Sequence, residues 1–282
     1  MGFHARSFVI LNRLVEGVDR MLTRAQRIVR ELPLVFYDPR AAQLATFDYF
    51  ERMPRYRDPL DQRAGLYPFE ARALKEFFPT APARVLAHGV GGGRELLVLV
   101  EAGYQVEAYE PAAKLALASA ELLAGRVTVG ELGLQAWAQA RTGTRFDAVF
   151  TGWSVWGYLV QQSDRLAVLR AFRRVCPEGP VLLSFFREEA FYDLGERAVE
   201  PRPLHPAWID RLERLARTQL RERWLSAPPL ERGTVWRNGL YLHLTEEWEL
   251  REEAALAGYR VAHYEQSPLR CSNAVLIPVD IA

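Results

Sequence analysis

The pattern of apolar residues after Ala83 constrains the fold of this chain more than any other feature. Short apolar runs alternate there with amphipathic stretches of helical spacing. This alternation is typical of a parallel sheet whose two faces are covered by helices. It predicts five successive strands, at Arg84–His88, Gln105–Tyr109, Arg126–Val129, Asp147–Thr151 and Val181–Phe186.

The C-terminal part predicts two more strands. Arg260–Glu265 and Asn273–Val279 are separated by seven residues. This connection is too short for a crossover helix, so the two strands are expected to pair antiparallel. Before them, Leu240–Leu244 is extended and Thr245 is positioned to cap a helix. The chain is therefore expected to have an α/β fold with a mostly parallel seven-stranded sheet and an antiparallel last strand.

Two regions lie outside this alternation. Residues 1–80 have helical patterns, with one helix from Pro39 to Arg52 capped by Asp38 and another that begins at Pro68. Residues 187–239 contain five prolines and interrupt the alternation after the fifth strand. We expect an N-terminal helical lid over residues 1–80 and one domain over residues 81–282, with a cap inserted at 187–239.

The first helical segment carries an apolar stripe with alternating spacings of three and four residues. The stripe consists of Phe8, Leu11, Val15, Val18, Leu22, Ala25, Val29 and Leu32. One interpretation is a helix packed on its own domain, which the imperfect pairing of charges beside the stripe favours. The other is the coiled-coil seam of a homodimer.

A glycine-rich loop follows the first predicted strand directly. His88 ends the strand, the loop Gly89–Gly93 follows, and Arg94 begins a helix. Glycines at alternate positions allow a tight turn, and a ligand can then approach the backbone N–H groups at the helix N-terminus. The spacing is G-x-G-x-G. It differs from the dinucleotide pattern G-x-G-x-x-G because Arg94 or Leu96 occupies the sixth position.

An acidic residue follows the second predicted strand. Glu110 lies seventeen residues beyond Gly93, and a carboxylate at this strand end can accept both hydroxyls of a ribose. In the glycine loop, in Glu110 and in the reversed last strand, the chain resembles the Rossmann-like, class I S-adenosylmethionine-dependent methyltransferases. The resemblance covers about residues 83–186 and 240–279.

The resemblance implies that S-adenosylmethionine is the cofactor. The cofactor site that it implies consists of His88, Gly89, Gly91, Gly93, Glu110, Pro111, Glu131, Leu132, Thr151 and Trp153. The chain departs from the family pattern at Ala87, where the family usually has an acid that helps to hold the ammonium group of the cofactor. The backbone carbonyls of Gly89 and Thr151 could accept from that ammonium group instead.

An acceptor would lie beyond the carboxyl ends of the strands. Aromatic residues are frequent in the segments that follow these ends, and Trp156, Tyr158 and Phe186 are the predicted substrate contacts. If the acceptor is a hydroxyl, a histidine near neutral pH is the expected proton acceptor. His243 is the catalytic candidate, and His88 and His205 are the alternatives.

Composition limits the expected partners. The formal net charge of +1 gives no general attraction to nucleic acid. No segment reaches the roughly 18 apolar residues of a membrane span. The two cysteines lack the spacing of a zinc site. We expect a cytoplasmic protein that binds a small molecule and requires neither nucleic acid, nor a membrane, nor a metal.

These features together favour a methyltransferase that moves the methyl group of S-adenosylmethionine to a small-molecule acceptor by in-line transfer. Two alternatives stay open. One is a non-catalytic protein that binds S-adenosylmethionine or serves as a scaffold. The other is an alkyl transferase of a different kind on the same fold.

Overall fold

The computed structural model describes residues 13–19, 21–22, 25, 29, 32–140, 143–187, 215–225, 227, 229–237, 239–266 and 271–279. The strands in this part of the chain are β1 (Arg84–His88), β2 (Gln105–Tyr109), β3 (Val129–Gly130), β4 (Ala148–Thr151), β5 (Val181–Phe186), β6 (Thr234–Arg237), β7 (Leu240–His243), β8 (Tyr259–Glu265) and β9 (Cys271–Pro278). Seven of them form one sheet in the order β3-β2-β1-β4-β5-β9-β8, and β6 and β7 form a separate hairpin.

The orientation of the strands confirms the predicted sheet. Strand β1 lies between β2 and β4 and is parallel to both, and β4 is parallel to β5. Strand β9 is antiparallel to β5 and to β8. Because the parallel strands end at the same edge, His88 is paired with Tyr109 on one side and with Thr151 on the other.

Helices cover the sheet and precede it. The described α-helices are α1 (Pro39–Arg52), α2 (Pro59–Gln62), α3 (Pro68–Phe77), α4 (Arg94–Glu101), α5 (Ala113–Leu122), α6 (Leu134–Gln139), α7 (Gln162–Val175), α8 (Arg221–Leu225) and α9 (Glu247–Leu256). The described part of the chain also contains two 3-10 helices, at Pro54–Arg57 and Val155–Tyr158, and one π-helical turn, at Ala216–Leu220. None of the described helices is long and apolar enough to cross a membrane.

Helix α1 begins and ends as its sequence predicts. The Asp38 side chain accepts from the backbone N–H of Ala41 at 2.7 Å, and Pro39 occupies the first turn, where its missing N–H costs nothing. Pro54 ends the helix because a residue before proline disfavours the helical conformation. The predicted bounds of this helix are therefore confirmed.

Each face of the sheet is buried against its own cluster of apolar side chains. Along β1, Leu86 belongs to one cluster, with Trp156 and Phe172, and Val85 and Ala87 belong to the other. This alternation follows from the two-residue period of a strand. Full burial of one such large side chain contributes roughly 1.5–3 kcal/mol, so the two clusters hold the strand ends at fixed positions.

Three predictions about elements were wrong. Strand β3 is Val129–Gly130, shorter and later than Arg126–Val129, because only two positions of this edge segment pair with β2. The helix after β7 is capped by Glu246, whose backbone N–H donates to Glu249, and not by Thr245, which is fully buried.

The third wrong prediction concerns the apolar stripe of the first helical segment. Val15, Val18, Leu22, Val29 and Leu32 are each more than half exposed, so at these positions the helix does not pack on its own domain. Phe8 and Leu11, at the start of the stripe, lie outside the described residues. The homodimer seam stays a prediction.

Candidate functional site

The glycine loop turns sharply from β1 into α4. Gly89, Gly91 and Gly93 have φ angles of 68°, 52° and 97°, which are in the left-handed region that a side chain disfavours. Gly93 is the N-cap residue of α4, so the loop brings the chain directly from the sheet edge to a helix N-terminus. Backbone donors at such a position can face a ligand.

Glu110 lies against this loop. One carboxylate oxygen accepts from the Gly91 N–H at 2.8 Å, and the other accepts from the Ala112 N–H at 3.0 Å. Burial, and then the charge of Glu95, raise the pKa of the Glu110 carboxyl to about 7, although the two backbone N–H groups counteract the rise. Each oxygen retains a lone pair, so Glu110 can accept further hydrogen bonds from a ligand.

The segment between α1 and α3 covers the loop. Gln62 donates to the Gly92 carbonyl at 2.7 Å. The carbonyl oxygen of Tyr56 lies so close to Gly92 that an added Cβ atom would be 1.5 Å from it. Contact between backbones at this distance is possible only because residue 92 is glycine.

Replacing Gly92 by alanine is therefore expected to displace the Pro54–Arg57 helix from the loop. Overpacking of this kind costs about 1–3 kcal/mol of unfolding free energy. Gly143→Ala is the matched control, because its Cβ would meet no atom within 4 Å. Urea denaturation of both variants measures the difference. Equal stability of the two variants would show that the segment does not rest on Gly92.

A large cavity opens between the glycine loop and helix α1. The cavity and the open solvent at its mouth together amount to about 1390 Å³. One end is lined by the loop, Glu110, Pro111 and Trp153. The rest of the lining is mainly aromatic and apolar and includes Tyr37, Phe47, Phe50, Tyr158, Leu159, Val160 and Tyr241. The two kinds of wall suit ligand groups of different chemistry.

A network of buried charges supports the loop end of the cavity. Arg94 makes two hydrogen bonds of 2.9 Å to the carboxylate of Glu70 and also binds Glu95. Its guanidinium lies 4.0 Å from the ring centroid of Tyr67. Burial, followed by the charge of Glu95, raises the pKa of Glu70 to about 7 despite Arg94. One guanidinium thus faces two carboxylates, which leaves this end of the cavity electronegative.

His88 lines the cavity and is 1% exposed. Its ring is stacked on Tyr109 at 5.4 Å and meets the edge of Trp137 at 5.8 Å. Neither ring nitrogen has a hydrogen-bond partner among the described residues. Burial lowers the pKa of His88 to about 3, so the imidazole is neutral at physiological pH and too weak a base for general-base catalysis there.

The structure brings together only some of the predicted cofactor residues. His88, Gly89, Gly91, Glu110, Pro111 and Trp153 line the cavity. Gly93 lies behind the loop against Ser119. Glu131 is exposed, and Leu132 packs against the core. The next three residues along the chain, Gly133, Leu134 and Gln135, line the cavity in their place. The Thr151 hydroxyl donates to the Leu182 carbonyl within the sheet.

The predicted acceptor residues are also divided. Tyr158 lines the cavity. The Trp156 side chain is fully buried in the core and is not among the described lining residues, so it cannot contact a ligand there. Phe186 contacts Tyr158 with ring centroids 6.4 Å apart and forms a second layer behind it.

His243, the predicted catalytic residue, lies away from the cavity. It is fully buried, and its Nε2 atom is 2.8 Å from the carboxylate of Glu249. It is not among the described lining residues of the cavity, so the structure does not bring it to this site, and its catalytic role stays a prediction. His205 lies outside the described residues.

The surroundings of His243 have the composition of a cation site. Ligand atoms of Glu231, His243 and Glu249 lie within 4.8 Å of one another. However, the Arg165 guanidinium donates to Glu231 at 2.9 Å and to Glu249 at 3.0 Å. The positive charge that these carboxylates require is therefore already supplied by the chain.

Sequence reasoning expected an N-terminal lid but missed the residues with which it lines the cavity. Gln43 and Phe47 on α1, and Tyr56 and Gln62 after it, line the cavity from the N-terminal side. A signal was present, since α1 is amphipathic and four aromatic residues occur between positions 47 and 56. The pattern does not indicate which part of the sheet a preceding helix will cover.

Comparison with known proteins supports the assignment of the fold. No protein-family model and no curated protein sequence matches this chain. A solved structure of 1,6-didemethyltoxoflavin-N1-methyltransferase from Burkholderia thailandensis, with bound 1,6-didemethyltoxoflavin and S-adenosylhomocysteine, matches with a TM-score of 0.54 and 16% identity. The match covers 86% of this chain and 92% of the Burkholderia thailandensis chain.

Two other solved structures are similar. The CcbJ methyltransferase from Streptomyces caelestis has a TM-score of 0.53 and 18% identity, and covers 83% of this chain and 96% of that chain. An S-adenosylmethionine-dependent methyltransferase from Bacteroides fragilis, in complex with S-adenosylhomocysteine, matches with a TM-score of 0.52 and 14% identity. This match covers 76% of this chain and 78% of the other chain. The chain has the Rossmann-like fold of class I S-adenosylmethionine-dependent methyltransferases.

Proposed function

We propose that this chain binds S-adenosylmethionine at the glycine loop and transfers its methyl group to a small molecule bound in the same cavity. The observation that carries this proposal is the continuity of the cavity. Its lining includes both the glycine loop with Glu110 and the aromatic side chains of Tyr37, Tyr158 and Tyr241. A donor and an acceptor must meet in line for methyl transfer, and one shared cavity allows this.

The residues at the loop end fit this cofactor. Glu110 presents a buried carboxylate with free lone pairs, which suits the two ribose hydroxyls. The electronegative group of Glu70, Arg94 and Glu95 suits a ligand that carries a sulfonium and an ammonium group. In this proposal Glu95, which lines the cavity, compensates for the missing acid at Ala87.

When bound, the cofactor supplies an activated methyl group that an acceptor lone pair attacks directly. The chain is then required mainly to position the two reactants and to exclude water. Residues 1–80 serve as the lid in this proposal and residues 187–239 as the cap. The contacts of Tyr56 and Gln62 with the loop support the lid, because they close the site from the N-terminal side.

Calorimetry with S-adenosylhomocysteine, followed by incubation of the full chain with methyl-labelled S-adenosylmethionine and a library of small-molecule acceptors, tests the function. Binding together with transfer of label to an acceptor supports the proposal. Binding without any transfer would favour a non-catalytic protein. Absence of binding would contradict the proposal at its first step.

The affinity for S-adenosylhomocysteine is expected to fall with decreasing pH. The ionised Glu110 carboxylate is the form that accepts both ribose hydroxyls, and its pKa in the free protein is about 7. Protonation therefore competes with binding, and the affinity should fall about tenfold between pH 8 and pH 6. Calorimetry across this range measures the effect. In Glu110→Gln most of this pH dependence should disappear, and a small residual decrease belongs to Glu70, whose pKa is also raised to about 7. An undiminished decrease would show that Glu110 is not its source.

A further inference from the structure

The charges that line the cavity do not balance. The charged lining residues are two arginines and four carboxylates: Arg55, Arg94, Asp61, Glu95, Glu110 and Asp164. Arg55 is paired with Asp61 at 2.8 Å, and Arg94 is paired with Glu95. Glu110 and Asp164 remain without a cationic partner in the described lining. Glu110 belongs to the loop end, so Asp164 is the unmatched charge of the acceptor end.

Asp164 is held in a defined orientation. It lies in the first turn of α7 and accepts a hydrogen bond from the side chain of Gln135. The Gln135 carbonyl oxygen in turn accepts from Gln43 of α1 at 3.3 Å. The Gln135 carbonyl oxygen is engaged with Gln43, so its amide N–H is the group that it can offer to Asp164. The Asp164 carboxylate retains further lone pairs for a ligand.

The cations near Asp164 are already engaged. Arg165 donates to Glu231, Glu249 and Glu253 and to two backbone carbonyls. Arg221 donates to the carbonyls of Leu34, Val35 and Tyr37. Neither arginine is among the described residues that line the cavity. Burial raises the pKa of Asp164 and the charge of Arg165 counteracts the rise, but the ion pairs of Arg165 go to three other carboxylates. No cation among the described residues therefore forms a salt bridge with Asp164.

Aromatic rings form the wall beside this carboxylate. Tyr37 and Tyr241 both line the cavity and meet edge to face, with ring centroids 5.0 Å apart. Burial and then the charge of Asp164 raise the pKa of the Tyr37 hydroxyl, consistent with the proximity of these two groups. The Arg221 guanidinium already lies 5.6 Å from the Tyr37 ring centroid, so within this aromatic wall it is the carboxylate of Asp164 that favours an organic cation over an anion.

We propose that the acceptor carries a protonated amine, and that Asp164 binds this ammonium group within the wall formed by Tyr37 and Tyr241. The inference rests on the proposed function, since it assigns the acceptor end of that same cavity. It concerns binding alone, so the methyl-accepting atom can be elsewhere on the molecule. Asp164 acts here as a specificity-determining residue that excludes acidic acceptors.

A set of three probes that differ only in charge tests the inference. Phenethylamine is cationic near neutral pH, phenethyl alcohol is neutral and hydrocinnamate is anionic. Each is titrated into the full chain saturated with S-adenosylhomocysteine, and saturation-transfer NMR measures its binding. We expect the amine to bind about tenfold more tightly than the alcohol, which corresponds to one hydrogen bond to a charged group. The anion should bind most weakly.

The variant Asp164→Asn should reduce this preference to within about twofold while retaining the hydrogen bond from Gln135. Asp164→Glu should keep the preference, and Glu178→Gln, an equal charge change at an exposed position, should leave it unaltered. Thermal unfolding confirms that each variant is folded.

The inference is overturned if the amine does not bind, if the three probes bind alike, or if Asp164→Asn keeps the preference. Binding of S-adenosylhomocysteine is recorded separately in each experiment. Its failure would contradict the proposed function itself, whereas normal binding without amine selectivity would contradict only the role of Asp164.

Discussion

Replacing Glu110 by glutamine is expected to weaken the binding of S-adenosylhomocysteine by about 30-fold or more, since each hydrogen bond to a charged group contributes about 1.5–3 kcal/mol. The carboxylate accepts from the Gly91 and Ala112 N–H groups with separate oxygens. Glutamine has only one acceptor oxygen, so one of these N–H groups loses its partner. The variant therefore lacks the charge that the ribose hydroxyls require and also loosens the loop.

Glu107→Gln is the matched control for this experiment. Glu107 lies on β2, the strand that Glu110 follows. It accepts from the Tyr109 hydroxyl at 2.8 Å and is not among the described lining residues of the cavity. The variant Glu107→Gln removes one negative charge, as Glu110→Gln does, at a position three residues before Glu110. Calorimetry of both variants near neutral pH gives the comparison. If Glu110→Gln and Glu107→Gln bind equally well, the ribose assignment is incorrect.

The sequence predicted which residues of the loop end line the cavity better than it predicted those of the aromatic end, for a physical reason. The glycine loop and Glu110 are determined by local requirements, namely positive φ angles and the end of a strand. The strand pattern also places the glycine loop and Glu110 at the same edge of the sheet, because each follows the end of a parallel strand. These requirements can be read from a few consecutive residues.

The acceptor end depends on contacts between distant segments. Tyr37 contacts Tyr241, and Gln43 contacts Gln135. These residues are far apart in the sequence, so no local pattern predicts their contacts. Trp156 and His243 were plausible ligands by position alone, but each is fully buried away from the cavity. An aromatic residue or a histidine after a strand can face either the ligand or the core. Only the packing of the surrounding helices decides between the two.

His243 is part of a buried network of charged side chains that supports the acceptor end of the cavity. Arg165 is at the centre of this network. The Arg165 side chain is fully buried and connects α7 to α9 and to the segment before β6. Glu231, one of its partners, also accepts from the backbone N–H of Gln162, at the start of the helix that carries Asp164. The network therefore fixes the helix start on which the acceptor carboxylate depends.

The variant Arg165→Leu is accordingly expected to lower the free energy of unfolding by about 3–5 kcal/mol, because it leaves buried carboxylates without a counter-charge. Arg170→Leu on the same helix is exposed and should change stability by less than about 0.5 kcal/mol. Urea denaturation of both variants measures the difference. A loss below about 1 kcal/mol for Arg165→Leu would show that the carboxylates take up protons or water in its place.

At temperatures where the variant is folded, its affinity for S-adenosylhomocysteine should be unchanged while its preference for amine probes is lost, since the network contacts α7 and not the glycine loop.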